Sequence, residues 1–536
     1  MATIYSSTTG TDMDAMSFAL IVRTGFNGDP MDPSPTQFVL ADDNAGLNLY
    51  GQGFGNYVQG YPTTGTITSL VLATPNSGSI GISDLSISVA AFTDLIRRQD
   101  AEGLKTALLG GNDSFSGADA VDIFYGYGGV DRMEGRGGAD KLYGGDGGDL
   151  LSGGGGDDQV RGEAGDDLLS GGAGADLVDG GAGSNFAIFV DSNGIGRGAN
   201  VSLMKQGAAQ DTGHGLDTLV NIQNLEGSQY SDTLTGDDGA NIIIGHTGGS
   251  DVLSGLGGDD ALYVADGTHT ADGGAGLDTL GFLYGGGGVT FSLAAQGAAQ
   301  ATGRGSVTAS GFEKLSGGNF ADSLTGDAGA NVIFGGNGND SVLGGAGDDS
   351  LLETAGSNYL RGEDGNDQIG GGTGFDDING NKGDDFAYGA LGDDWVVGGQ
   401  GHDTLSGDEG ADIVYGNLGD DRVSGGEGAD WVRGGQGDDS LSGGGGNDLM
   451  SGDRGADTVS GGAGADIFQT FAGAGLDRVL DFSAAEGDRV MLETAGTPYT
   501  ASQVGADTVV DLGGGTQLVL VGVQYSTLPP GWIIGG

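Results

Sequence analysis

The sequence predicts an all-β chain: a parallel two-sheet solenoid in arrays, preceded by a small β-rich domain and closed by a β cap. Three observations carry that prediction. From Gly317 to Gln469 the chain reads as seventeen consecutive nine-residue units with no insertion. Glycine holds position 1 in sixteen of them, the exception being Glu353, and position 4 in sixteen, the exception being Phe320. Position 8 is large and apolar in sixteen, the exception being Ala387. A strict period of this kind marks a stacked-repeat architecture, in which each unit buries its apolar side chain only against its neighbours.

Each unit divides into a turn and a strand. Positions 1 to 6 are expected to turn, since glycine permits positive φ and close backbone approach. Positions 7 to 9 are expected to form a short strand whose middle residue points inward, because side chains alternate along a strand. Val342, Leu351, Leu405, Val432 and Val459 should therefore face one interior. Two units make one coil, and successive coils stack about 4.8 Å apart, so the array makes roughly eight coils, about 40 Å long.

Position 6 carries the chemistry. It is Asp322, Asp340, Asp349, Asp367, Asp376, Asp385, Asp394, Asp403, Asp412, Asp421, Asp430, Asp439, Asp448, Asp457 and Asp466, with Asn331 and Asn358 in the other two units. Calcium takes six to eight oxygens from carboxylates and backbone carbonyls, and a Gly-Asp turn offers both. Residues eighteen apart, such as Asp412 and Asp430, fall on one edge, so each ion should sit between two neighbouring turns.

Eight further units run from Gly117 to Ile188. Their position 6 is Asp122, Asp131, Asp140, Asp149, Asp158, Asp167 and Asp176, then Asn185. A degenerate unit before them keeps Asp113 and Phe115 in phase. This G-G-x-G-x-D-x-U-x pattern resembles the calcium-binding nonapeptide of the RTX, or hemolysin-type, secreted proteins. The resemblance implies a parallel β-roll. After Gln469 the chain also resembles the C-terminal flank of that family, with Asp477-Arg-Val-Leu-Asp-Phe482 in place of its D-x-I-x-D-F motif. In the family this flank forms a cap and carries an uncleaved signal for type I secretion, so the type I machinery is an implied partner and an extracellular location is implied.

Between the arrays, residues 189–316 read as an interrupted roll. Val201–Gly215 matches Phe291–Gly305, and Asp232-Thr-Leu-Thr-Gly-Asp matches Asp322-Ser-Leu-Thr-Gly-Asp, both at an offset of 90 residues. Imperfect units between the copies offer Asp232, Asp251, Asp260 and Asp278 as further ligands. His214 is replaced by Arg304 in the second copy and reads as a solvated loop residue. The domain reading is therefore 1–107, 108–188, 189–316, 317–469 and 470–536.

Residues 1–107 hold five of the eight prolines and β-like runs at Gln37–Leu40, Thr66–Leu72 and Ile80–Ser88. Between Val89 and Leu109 the apolar period changes, predicting one or two amphipathic helices that cap the first roll. In the C-terminal region, alternation predicts strands at Leu476–Phe482, Gly487–Leu492, Asp507–Asp511 and Gln517–Val523.

Formal net charge is −56 with 120 glycines and no cysteine. Phosphate repels such a surface, so nucleic acid is not an expected partner. Without disulfides an extracellular chain needs another stabiliser, and roughly two dozen Ca²⁺ would offset most of the charge. Neighbouring carboxylates about 4.8 Å apart repel by ~0.9 kcal/mol even in water, so the metal-free chain is expected to be unfolded. No segment is long and apolar enough to span a membrane, and Met1-Ala-Thr-Ile-Tyr-Ser lacks the basic and apolar regions of a cleaved leader.

No enzyme is expected. There is no H-E-x-x-H, no G-x-S-x-G, no P-loop and no cysteine nucleophile, and the four histidines (214, 246, 269 and 402) are far apart. Asp12, Asp14, Asp29, Asp32, Asp42 and Asp43 read as acidic turn residues rather than as paired carboxylates for glycoside chemistry. The leading expectation is a secreted structural or cell-surface protein of surface-layer or matrix type, with self-assembly or surface polysaccharide as its contacts. The alternatives are an adhesin or glycan-binding protein, and an RTX enzyme or toxin active through residues 1–107.

Overall fold

The computed structural model describes residues 110–536 apart from 118, 191–195, 283–284, 495 and 536; before residue 110 it describes only the backbone of five strands. The helices expected between Val89 and Leu109, and the acidic residues from Asp12 to Asp43 other than those strands, lie outside the described residues. Contacts cluster in two units, Met1–Leu262 and Tyr263–Gly536.

In the first unit, Gln37–Ala41, Gly46–Val58, Tyr61–Thr74 and Gly78–Ser88 form an antiparallel meander. Thr3–Tyr5 pairs antiparallel with its last strand and parallel with Ser114–Ser116. A strand thus covers the open edge of the first coil, which would otherwise offer unpaired amides. The coils follow as parallel ladders of two sheets. Arg132–Gly137, Leu150–Gly155 and Leu168–Ala173 stack in one, and Ile123–Gly128, Lys141–Asp146 and Gln159–Ala164 in the other. Every step is eighteen residues, as a coil of two nonapeptides requires.

The second unit repeats the plan over a longer run. Gln368–Thr373, Phe386–Leu391, Thr404–Glu409, Arg422–Glu427 and Ser440–Gly445 pair successively in one sheet. Tyr359–Asp364, Asp377–Lys382, Trp395–Gln400, Ile413–Leu418, Trp431–Gln436 and Leu449–Arg454 form the other. Position 8 faces the interior throughout: Val342, Val396, Val414 and Val432 are wholly buried, and so is Ala387.

The strands are longer than the sequence predicted. They run six residues, from position 7 through position 3 of the next unit, so the turn shrinks to positions 4 to 6. Positions 2 and 3 keep pairing because only position 1 drops out of register; Ser424 faces Ser442 and Gly426 faces Gly444, with Gly425 unpaired between them. This one-residue interruption lets the strand bend around the edge without ending.

The roll also continues beyond Gln469. Leu476–Val479 stacks parallel on Thr458–Ala463, and Arg489–Leu492 on Ile467–Thr470. Thr516–Leu520 and Ile533–Ile534 then close the two sheets, with Thr500–Val504 and Asp507–Gly513 forming an antiparallel flap. Trp532 lies edge-on to Phe482 at 6.3 Å, and Phe482 packs on Phe468 at 5.9 Å, plugging the end of the apolar seam.

The 90-residue duplication has a structural basis. In each copy the chain leaves the roll through a 3-10 turn, Leu203–Lys205 or Leu293–Ala295, and returns by an antiparallel strand pair. One glutamine clamps each return. The Gln206 amide donates to the Ile222 carbonyl and accepts its N–H at 2.8 and 2.9 Å; Gln296 does the same with Phe312 at 2.8 and 3.0 Å. His214 is not solvated as expected. It is buried against Phe189, edge-to-face at 5.7 Å.

Candidate metal centres

The Asp side chains of position 6 turn into the roll and build a ladder along each edge of the regular arrays. The Asp430 Oδ1 accepts the backbone N–H of Asp412 at 2.9 Å, Asp412 accepts from Asp394 at 2.7 Å, and Asp448 accepts from Asp430 at 2.9 Å. The other edge runs the same way through Asp385, Asp403, Asp421, Asp439 and Asp457. Asp131, Asp140, Asp149, Asp158 and Asp167 form it in the first array, with Asp113 and Asp122 as its first donors. Each carboxylate therefore reaches back one coil, fixed by a single donor through one oxygen.

The second oxygen is what matters. The Oδ2 atoms of Asp149, Asp158, Asp367, Asp394, Asp412 and Asp430, among others, are buried without a protein hydrogen bond. A buried, unpaired carboxylate oxygen is costly. In each unit this oxygen points at the face of the position-1 glycine. A Cβ on Gly425 would fall onto the Asp430 carboxylate and within 2.7 Å of the Gly443 carbonyl one coil on. The φ of Gly425 is one any residue could adopt, so that glycine is there for space. Gly426, by contrast, is required by its φ of +118°. The space holds a carboxylate oxygen and a carbonyl oxygen from neighbouring coils, the donor set of a hard cation such as calcium. Backbone carbonyls supply much of this oxygen set, and among the described residues no cluster of three acidic or histidine side chains converges.

Burial pushes these carboxyl groups up, to about 7 for Asp131, Asp140, Asp385, Asp403, Asp412 and Asp439, with neighbouring carboxylates adding to it. Repulsion, the ordering cost of glycine and a thin apolar seam are the grounds the sequence offers for an unfolded metal-free chain; burial of these carboxylates costs more than their mutual repulsion. A carboxyl group whose folded pKa lies above its ordinary 3.8 binds protons on folding, so acid favours the metal-free roll and stability is lost as pH rises from about 4 to about 7. In chelator, strand content should accordingly increase as pH is lowered through that window, and the calcium midpoint should rise because protons compete for the same oxygens. Circular dichroism against pH, with and without calcium, reads both; metal-free strand content that grew with rising pH would contradict the sign.

Several steps of the ladder depart from the pattern. Asn185 and Asn358 keep the Oδ1 bond from one coil back, at 3.0 and 2.9 Å, while giving up the charge; Asn331 accepts instead from its own unit, at Asp327, at 2.7 Å. Within 189–316 the carboxylates are less alike. Asp251 and Asp260 accept from residues nineteen back, Asp232 and Asn241, because one residue is inserted before Asp251. Asp232 is already satisfied by the N–H groups of Ala199 and Ser228. Above Asp278 the acceptor is Glu313 at 3.0 Å. Asp322 accepts from Val289 and donates its N–H to Asp340; Asp349 and Asp376 accept from Asn331 and Asn358. Asp466 closes the array by accepting from Asp448. At Asp340 the space is filled: Glu353, alone in place of the position-1 glycine, puts its carboxyl there, pushed up to about 9 by burial and by Asp340.

Besides Glu313, three ladder carboxylates were missed. Asp217 accepts from Asp176 across the first loop-out, and Asp477 and Asp488 accept from Asp457 and Asp466. Their offsets are 41, 20 and 22 residues, so the period hid them. A second ladder was also missed. Position-5 side chains reach forward one coil: Asp384 accepts from His402, the His402 Nδ1 from Asp420, and Asp420 from Asp438. The recurrence of Asp and Asn at position 5 was its signal.

Removing both carboxylates of one edge step, as in Asp412→Ala with Asp430→Ala, should raise the calcium midpoint of folding several-fold. An unchanged midpoint in a calcium titration would separate these residues from ligation.

Stacked turns with paired carboxylate and carbonyl oxygens define a class: the parallel β-roll that holds cations between its coils. Twelve stretches match the RTX calcium-binding nonapeptide repeat (4 copies): 109–133, 125–160, 152–187, 222–248, 247–280, 316–351, 354–378, 370–405, 397–432, 406–441, 433–468 and 442–477. Together they span more than half of the chain, which belongs to this family and is a calcium-binding repeat protein. No curated protein sequence matches it. Among solved structures it is similar to the extracellular lipase LipA from Serratia marcescens, at 19% identity over 40% of each chain and a TM-score of 0.20. That likeness is too slight to bear on function.

Proposed function

We propose that the chain is a secreted structural protein of surface-layer or matrix type, without catalytic activity, whose folding is switched by calcium. The observation that supports it most is the position-6 ladder of the regular arrays: its bare buried oxygens make folding conditional on a cation. In calcium-poor cytosol the chain stays extended and passes the type I secretion channel. Outside, calcium in the range of extracellular sites, about 10⁻⁴ to 10⁻³ M, drives the roll together. Among the described residues no helix is long and apolar enough to cross a membrane. Assembly or a bound polymer is the proposed means of retention at a surface. Cell fractionation tests the reading. The protein is expected in a surface or matrix fraction that chelator releases; free protein with hydrolytic activity would overturn it.

A further inference from the structure

One sheet of the second unit presents a surface unlike the rest of this acidic chain. On its six strands, Tyr359–Asp364 to Leu449–Arg454, the position-7 side chains form an outward row: Tyr359, Asp377, Trp395, Ile413, Trp431 and Leu449. Two of the three tryptophans of the protein lie in it, Trp395 at 43% and Trp431 at 37% exposure, beside Tyr359 at 44%. Large aromatic side chains clustered in solvent on rigid strands are the usual mark of a binding surface.

Cross-strand contacts hold these rings in place. Trp431 meets Tyr415 edge-on at 5.6 Å. The Arg433 guanidinium lies 5.6 Å from the Tyr415 ring centre and pairs with Asp453 at 2.6 Å. Arg361 lies 3.7 Å over Tyr359 and pairs with Asp377 at 2.9 Å. On the same strands lies a groove of about 580 Å³, lined by the amides of Asn379, Asn381, Gln400, Asn417 and Gln436 together with Arg433, Asp453 and Arg454.

Charge narrows the ligand. Against a net −56 for the chain, these six strands balance: Arg361, Lys382, Arg433 and Arg454 against Glu363, Asp364, Asp377 and Asp453. Three of the four cations are paired within the face, Lys382 with Asp364 at 2.5 Å being the third. The face therefore offers no net charge to an ionic partner.

We propose that this face binds a neutral polysaccharide of hexopyranose units lying along the roll axis. A sugar ring has an apolar face of C–H groups that packs on an aromatic ring. Its hydroxyls both donate and accept, as do side-chain amides. Trp395 and Trp431 are two strands apart, about 9.6 Å, which is close to the length of one disaccharide. Alternate sugars of an extended chain thus stack on the two tryptophans while the amide rows follow its edge. This adds to the proposed surface role and does not depend on it.

The test uses the full chain in calcium, cosedimented with insoluble cellulose, chitin and β-1,3-glucan, and run in affinity gels with alginate as the anionic comparison. Retention by at least one neutral polymer is expected. Trp395→Ala with Trp431→Ala should weaken it at least tenfold, while Phe386→Ala on the opposite sheet leaves it unchanged. Both variants should keep the calcium-dependent strand signal, since the altered side chains are exposed. No binding to any neutral polymer, tighter binding to alginate, or equal binding by the double variant would overturn the proposal. So would sedimentation equilibrium showing an oligomer that the double variant dissociates, since a second copy would then be the occupant.

Discussion

Chelating calcium from the folded protein is expected to abolish nearly all of its strand signal at pH 7.5, and returning calcium to restore it. The reason lies in what each coil buries. A nonapeptide orders nine glycine-rich residues and buries one large apolar side chain, so the apolar seam alone cannot offset the entropy of ordering. Against it stand the buried carboxylates, many of them with one oxygen lacking a protein donor, as at Asp149, Asp394 and Asp430. At neutral pH these groups must lose their protons or the roll must open, because burial holds many of them near 7. A cation between coils satisfies both the bare oxygen and the charge. Far-UV circular dichroism in excess chelator reads the outcome, and persistent strand signal would count heavily against metal-conditional folding.

Val432→Asp is expected to have the largest effect of any single substitution away from the ligands. Val432 is wholly buried, between Val414 and Met450 in the same seam. A carboxylate there meets no donor and no cation. Burying an unpaired charge costs several kcal/mol, well beyond the ~1.5–3 kcal/mol lost with a valine side chain. Because each coil contacts only its neighbours, the damage should centre on the coils around residue 432 and raise the calcium midpoint without removing a ligand. Hydrogen exchange in calcium should show lost protection in Ile413–Leu418, Trp431–Gln436 and Leu449–Arg454. Protection equal to wild type there would mean that position 8 is not the core.

Much of this fold is legible in the sequence because one side chain in nine decides it. The period sets the coil, position 8 sets the interior, and position 6 sets the edge; the buried rows of Val342, Leu360 and Ile378 follow directly. What escaped did so for physical reasons. The strands run to six residues because Gly425 and its equivalents interrupt the register without ending the ladder, which no propensity reveals. Asp217, Asp477 and Asp488 join the ladder only after the chain has looped out and returned, so their spacing breaks the period that identified the others. The position-1 glycine read as a turn residue from sequence; in the fold it keeps a space open between two coils. The burial of His214 depends on its packing against Phe189, a tertiary contact with no local signature.

The most direct measurement is an anomalous difference map from crystals grown in millimolar calcium. Density is expected between each ladder Oδ2 and the glycine carbonyl of the adjoining coil, as at Asp430 with Gly443, and weaker or none beside Glu353. An ordered roll with no density at those steps would contradict the claim that calcium joins one coil to the next.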